Sequence, residues 1–484
     1  MSESSPSAAP LAGAPTADAV WRWGRILLGV GLTLLLALTL AVATVAPLYA
    51  PLVPLALAGA LGVAWVARRP LLHLCLVLLS LLFVLDTTEG VRVSELAVSL
   101  YYPAYLAGWF VHHVAVRRQR LLADPVDYGV AAFLGLATLA LGLTVVYGGD
   151  LVLALNEWRR ILALAFYFPL KWACLRDPRA FRVLLGVFLV LALILVARNL
   201  LRYYFAFQSA EALWEIMTNR SRINERFIMA GFLGSLMFLF HTHAWRHRLL
   251  LAGTTFVLLA GTIAGLSRAL WIAAAFGLLV AFLLIGQRQR VRLVLLLGGA
   301  TVGMALAAML LFDDAFSLVV EGLAARFATL ETAASKDLSL VNRFYEWGSA
   351  WERILEAPVL GHGLGVKYPH FNIIYKVTET KTFVHNSYLG LLFRHGVAGL
   401  ACVGFVVLVS FGRAVHLIRT RPGGLSYPLA LTCVTVVPAL AVAALAEDLL
   451  LTLEGAFTLA FLAALVTALW VQRPAVSPAR LRSS

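Results

Sequence analysis

Between Trp21 and Val471 the sequence is a succession of apolar runs, each about the length of a bilayer crossing, joined mostly by short connections. One connection is long: residues 313–385 bring Arg343, Glu346, Arg353, His362, Lys367 and Lys381 into one region. A membrane span needs about 20 apolar residues, and about 12–14 such segments can be counted. Among them are approximately 96–116, 128–147, 159–175, 227–241, 291–312, 386–412, 426–446 and 452–471. Hydrophobic residues make up 61% of the chain and charged residues 13%, against about 25% charged in soluble domains. The expected fold is an all-α polytopic membrane protein with one large loop containing amphipathic helices.

Lys and Arg in short loops mark the cytoplasmic side of such a protein. Alternate connections hold Arg68-Arg69, Arg117-Arg118-Arg120, Lys171/Arg176/Arg179/Arg182, Arg246/Arg248, Arg288/Arg290/Arg292 and Arg413/Arg419/Arg421. These read as cytoplasmic together with both termini, so the 313–385 loop is expected on the outer side. The division is then a disordered cytoplasmic stretch 1–20, membrane helices over 21–312 with an outer segment 199–226, the outer loop 313–385, membrane helices over 386–472, and a cytoplasmic tail 473–484. The net charge of +14 reflects this anchoring against membrane lipids and calls for no nucleic acid. Cys75, Cys174, Cys402 and Cys433 are scattered through apolar spans and read as packing residues.

Cations on the outer side break this pattern and need partners. Arg159-Arg160 closes one outer connection, where pairing with Glu157 or lipid headgroups would suffice. Arg220, Arg222 and Arg226 lie just before a helix entering the membrane, after an interfacial stretch around Trp214. A phosphate-bearing ligand fits three such cations better than one internal glutamate, and a helix N-terminus would add its own positive end. Arg268 stands in the middle of an apolar run, Leu249–Gly286, that is long enough for two spans. An arginine there is costly unless paired or wetted, so it is either half of a salt bridge or a functional cation.

Within the loop, Leu340, Phe344, Trp347, Trp351, Ile354 and Leu355 recur on one helical face, with Arg343, Glu346 and Arg353 on the other. This predicts a helix lying on the membrane surface, ended by Pro358 and followed by a flexible turn, Gly361-His362-Gly363-Leu364-Gly365. Thr382 to Tyr388 then enter the next span. Asn386 or Ser387 can cap that helix, and His385 stands just ahead of it. Helix dipole and nearby arginines would keep the imidazole neutral. Residue chemistry alone leaves His385 a headgroup contact or a general base. Arg394 is expected to pair with Glu447, Asp448 or Glu454. Asp313-Asp314 is a weak metal signal on its own, and no nucleotide fingerprint appears.

Asn342-Arg343 through Trp351, Pro358, Gly361 to Gly365, His385-Asn386-Ser387-Tyr388-Leu389, Gly396 and Gly399-Leu400 together resemble the O-antigen ligase and O-antigen polymerase superfamily. Ser267-Arg268 and the Arg220/Arg222 region match as well. The resemblance implies a GT-C-like membrane glycosyltransferase that needs no metal or other cofactor. Its donor would be a glycan on undecaprenyl pyrophosphate and, for a ligase, its acceptor lipid A-core. By carry-over His385 is the base and Arg222 and Arg268 hold the pyrophosphate. Arg220, Arg343, Asn386, Tyr388, Arg159 and Lys381 complete the expected substrate-binding set. Ligase is the favoured member; a polymerase, a protein O-oligosaccharyltransferase or a lipid-linked glycan transporter are the rivals.

Overall fold

The computed structural model describes residues 69–83, 93–209, 224–265, 267–312, 324, 338–420, 423–449 and 452–473. The expected spans at 25–45 and 48–67, the interfacial stretch around Trp214, Arg220, Arg222 and Asp313-Asp314 lie outside these residues.

The chain runs through α1 (Pro70–Ser80), α2 (Val93–Phe110), α3 (Pro125–Val146), α4 (Leu151–Ile161), α5 (Tyr167–Arg176) and α6 (Pro178–Ser209). Then follow α7 (Glu225–His241), α8 (Trp245–Ala264), α9 (Arg268–Leu284), α10 (Gln287–Phe312) and α11 (Leu338–Glu356). A hairpin of β1 (Tyr368–Asn372) and β2 (Val377–Lys381) precedes α12 (Ser387–Thr420), α13 (Ser426–Ala443) and α14 (Leu453–Gln472). All belong to one unit, Pro70–Ser484. Among the described residues α3, α6, α8, α12, α13 and α14 are long and apolar enough to cross a membrane, while α9 and residues 70–83 are shorter apolar helices. The protein is an all-α polytopic membrane protein, with one two-stranded addition in the loop that hydropathy did not foretell.

The centre is built on α13 and α14, the most deeply buried of the spanning helices. Helices α7, α9 and α12 pack on α13, and α5 and α12 pack on α14. Small residues on α7, α9 and α13 make the contacts close: a Cβ on Gly277 of α9 would lie 2.9 Å from the Thr435 carbonyl.

Two buried ion pairs tie α3 to its neighbours. Asp124 caps α3 with Pro125 at its first position, and Asp127 returns a side-chain bond to the Asp124 backbone, completing a capping box. Asp124 then takes both terminal nitrogens of Arg413 from α12, at 2.8 and 2.9 Å. Asp127 takes the Lys171 ammonium at 2.5 Å and the Tyr167 hydroxyl at 2.7 Å from α5. Lys171 and Arg413 were expected in loops as part of basic clusters; both are instead buried within helices. An apolar stem with a charged tip lets such a residue serve the core wherever an acid meets it.

Two further differences bear on the loop. The segment 159–175, expected as one span, is divided among the end of α4, a tight 3₁₀ stretch at Leu162–Phe166, and α5. And the turn Gly361 to Gly365 is clamped, not flexible. Gly361, Gly363 and Gly365 all have positive φ. A Cβ on Gly363 would lie 2.6 Å from the Ala140 carbonyl, and one on Gly365 would lie 2.3 Å from the Asp150 carbonyl. The Gly361–Gly365 turn is threaded between α3, the start of α4 and α12, and its backbone is bonded on both sides: His362 N–H donates to Phe393 O (2.8 Å), Gly363 N–H to Arg394 O (3.1 Å) and Asp150 N–H to Gly365 O (3.0 Å). Helix α12 answers with its own break at Gly396, where φ is +60° and ψ is −165°.

The clamp predicts that Gly363→Ala destabilises the protein by about 1–3 kcal/mol, the cost of forcing a side chain into that backbone region. Gly135→Ala in α3, where a Cβ meets nothing within 4 Å, should be neutral or slightly stabilising. Thermal unfolding of the two variants in detergent checks this; equal melting temperatures would mean the turn relaxes freely.

Candidate functional site

The entry of α12 is held by side chains in the order the sequence supplies them. Asn386 Oδ1 accepts from the backbone N–H groups of Tyr388 (3.0 Å) and Leu389 (3.2 Å), which is an N-cap. Ser387 N–H donates to Ala444 O at 2.8 Å. Its hydroxyl donates to Glu447 O (2.7 Å) and accepts from Leu449 N–H (2.6 Å). The Tyr388 hydroxyl donates to Ala441 O at 2.9 Å. The first turn of α12 is thereby fixed to the end of α13 and its connection to α14. Asn386 and Tyr388, expected to touch substrate, are both engaged in this anchoring.

His385 stands one residue before the cap, and its ring is met by Glu346 from α11. Nδ1 lies 3.0 Å from both carboxylate oxygens. The His385 backbone N–H donates to Glu346 Oε1 at 2.6 Å, and Lys381 Nζ donates to Oε2 at 3.0 Å. A carboxylate facing Nδ1 assigns the proton to that nitrogen and leaves the lone pair on Nε2. Among the described residues none hydrogen-bonds to Nε2. His385 keeps 34% of its side chain exposed, whereas His362, His370 and His395 are each buried to 3% exposure or less. Burial thus separates one reachable histidine from the three others expected on this side.

Glu346 is itself wholly buried. Burial would raise its carboxyl, but the hydrogen bonds from the His385 ring and backbone and the Lys381 charge outweigh it and hold it at about 2. The expectation that nearby arginines and the helix dipole set the charge of the ring left out Glu346: this carboxylate meets the ring, orients it and offsets the imidazolium formed when Nε2 takes a proton. Glu346 was read only as a polar-face residue. The signal that could have found it is the stripe Asn342, Glu346, Ala350 and Ile354, at i+4 spacing, which is the buried face of α11. Phe344, Trp351 and Leu355, assigned to the apolar face, are exposed, as residues of a helix lying on lipid would be.

The remaining candidates fall in different places. Lys381 spends its charge on Glu346 and on Glu379, at 3.4 Å. Arg268 is half-buried at the first residue of α9. Its turn packs on the start of α7, since a Cβ on Gly265 would lie 2.8 Å from the Glu225 carboxylate. Arg343 is half-buried one turn before Glu346 on α11. Arg159 is half-buried at the end of α4 and donates to Asn156 Oδ1 at 2.7 Å. Arg226, expected to await a phosphate, bonds Glu447 at 2.9 Å and also Glu454. Arg394 is wholly buried and pairs with Asp448 at 3.1 Å, one of its three expected partners, and with Glu157 at 3.2 Å. It also donates to the Thr382 carbonyl, three residues before His385.

Residues 253–404 match the family model described as O-antigen ligase. That match supports the resemblance of this segment to the O-antigen ligase and polymerase superfamily. It runs from α8 to the middle of α12 and takes in Arg268, Arg343, Glu346 and His385. The matched segment does not include Glu157 or Asp448, which hold Arg394 from either side of it. A search of curated proteins gives no match to the chain.

The Glu346 carboxyl predicts a pH signature. Its folded value lies below the ordinary carboxylate range, so its contribution to stability is complete above about pH 4.5. It is lost as pH falls toward 2. The full effect is about 3 kcal/mol. Melting temperatures of the wild type and Glu346→Gln should differ at pH 6 and converge as pH falls from 4.5 toward 2. A gap unchanged over that range would dissociate Glu346 ionisation from folding.

Proposed function

We propose that the protein is an O-antigen ligase at the periplasmic face of the bacterial inner membrane. It transfers a polysaccharide from undecaprenyl pyrophosphate to a sugar hydroxyl of lipid A-core, with inversion at the anomeric carbon. The observation that carries this reading is the Glu346–His385 pair, a reachable imidazole nitrogen set by a buried carboxylate at the mouth of a membrane helix. The superfamily of residues 253–404 and the basic clusters of the opposite-side connections support it.

The acceptor hydroxyl gives its proton to His385 Nε2, while Nδ1–H stays on Glu346. The hydroxyl oxygen attacks the anomeric carbon from the side opposite the lipid phosphate. The bond to the pyrophosphate oxygen breaks, and undecaprenyl pyrophosphate leaves with the electron pair. Arg268 and Arg222 are the proposed cations for that developing charge, since guanidinium groups bind phosphate oxygens in pairs. Arg220 and Arg343 are assigned to the same pyrophosphate. Activation comes from the donor's glycosyl ester to pyrophosphate, a good leaving group, so no cofactor is assigned. General-base catalysis of this kind is worth about 10²–10⁴ in rate, and anion stabilisation at a preorganised site adds a comparable factor.

His385→Ala should abolish transfer from lipid-linked glycan to lipid A-core in reconstituted membranes. It also removes a donor from buried Glu346, so its melting temperature should fall, and a cooperative melt above the assay temperature separates lost catalysis from lost folding. Arg268→Lys, which keeps charge and loses the fork, should lower turnover by about 10²-fold. A lipopolysaccharide gel from a deletion strain distinguishes the members of the superfamily. Core-only lipopolysaccharide, with long polymer retained on the lipid carrier, is the expected result. Core bearing a single repeat would make the protein a polymerase, and an unchanged ladder would reject both assignments.

A further inference from the structure

Beside the clamped glycine turn lies a cavity of about 370 Å³, within the range of about 300–1,000 Å³ usual for ligand sites. Tyr147, Asp150, Arg353, Glu356, His362 and Lys367 line it. It shares no lining residue with the Glu346–His385 pair. The aromatic rings form a column: Phe393 stacks on His362 with ring centres 5.2 Å apart and planes inclined 26°, and His362 meets Tyr147 at 4.9 Å. Tyr147 ends the column, 45% exposed. His362 is 3% exposed, yet neither ring nitrogen has a hydrogen-bond partner, and Nε2 stands 3.5 Å from a Glu356 carboxylate oxygen. His362 thus gives the cavity an aromatic edge and one unpartnered nitrogen, Nδ1, while Nε2 is directed at Glu356.

The walls carry both signs. Arg353 donates to both Glu356 oxygens at 2.8 and 2.7 Å. Asp150 uses one carboxylate oxygen to cap α4, accepting from Val152 and Leu153 N–H. Lys367 is exposed. Two cations against two carboxylates cancel, which disfavours a phosphate or other dense anion. Mixed donors and acceptors beside an exposed aromatic face suit a hydroxyl-rich ring: each sugar hydroxyl both gives and takes a hydrogen bond, and the C–H face of the ring lies on the aromatic. Among the described residues no three His, Cys, Asp or Glu side chains are placed to hold a metal ion.

Helix α11 joins this cavity to the candidate site. Glu346, which holds His385, and Arg353, which lines the cavity, are seven residues apart. That is two turns, about 10 Å along the axis and on nearly the same side. A short oligosaccharide whose terminal hydroxyl sits at His385 therefore has the length to place an inner unit in the cavity. The geometry points to a saccharide subsite here for the acceptor glycan. This rests on the glycosyl-transfer reading above.

The test is isothermal titration of the full-length protein in nanodiscs with the soluble core oligosaccharide released from lipopolysaccharide. Free O-antigen repeat oligosaccharide is titrated in parallel. The wild type should bind core oligosaccharide saturably. Tyr147→Ala and Lys367→Ala, both at exposed positions, should each weaken it tenfold or more, and in transfer assays should raise KM for the acceptor. Inorganic phosphate at equal concentration should not compete. Preference for the repeat oligosaccharide with the same variant losses would keep the subsite and assign it a polymerase acceptor. No saturable binding by the wild type, wild-type affinity in both cavity variants, or displacement by phosphate would overturn the subsite. Loss of transfer in His385→Ala is read separately, so either assignment can fail without the other.

Discussion

The arrangement depends on one arginine. Arg394 has no exposed surface to speak of, and it ties two acids distant in sequence to the loop and to its own helix. Glu157 comes from α4, Asp448 from the connection between α13 and α14, the Thr382 carbonyl from the loop, and the Gly390 carbonyl from its own helix. Glu157 in turn accepts from the Gly365 backbone N–H at 2.9 Å, so the glycine turn hangs on the same cluster. Removing one member of a buried charge network leaves the others unpaired at a cost of about 3–5 kcal/mol. The position of His385 thus follows from a charge it never touches.

A second electrostatic choice lies nearer the ring. A carboxylate buried to nothing would ordinarily take up a proton; here three donors hold it ionised, and two of the three belong to His385. The acid and the imidazole define each other: the carboxylate selects the tautomer, and the histidine's two N–H groups satisfy the carboxylate. Lys381 closes the set from the end of β2, giving the hairpin a structural task.

Much of the fold was legible because a bilayer imposes length and apolarity on every crossing helix, and the sequence states both directly. His385 and the Asn386 cap were legible for a local reason, since capping depends on residues within one turn. The pairing of Arg394 with Asp448 was legible because few acids lie on that side. Glu346 was not. Its burial is decided by what α11 packs against, and helical periodicity shows which residues share a face but not which face turns inward when the other faces lipid. Glu157 was assigned to its neighbours Arg159 and Arg160, because sequence proximity is visible and the fold that brings Arg394 to it is not. Lys171 and Arg413 were misplaced for the same reason.

The stretch from Gly365 to His385 is fastened at both ends, at one by backbone contacts that admit no side chain and at the other by the Glu346 carboxylate. Its register is therefore counted in residues, and an extra residue has few places to go. The tip of the hairpin is one: Ile374 and Tyr375 are exposed, and Lys376 already adopts a positive φ. An epitope or a fluorophore-labelling tag placed there would leave both fastenings as they are, whereas length changes on either side of the hairpin would be transmitted straight to the imidazole. Variation in this loop among related chains should accordingly collect at that tip.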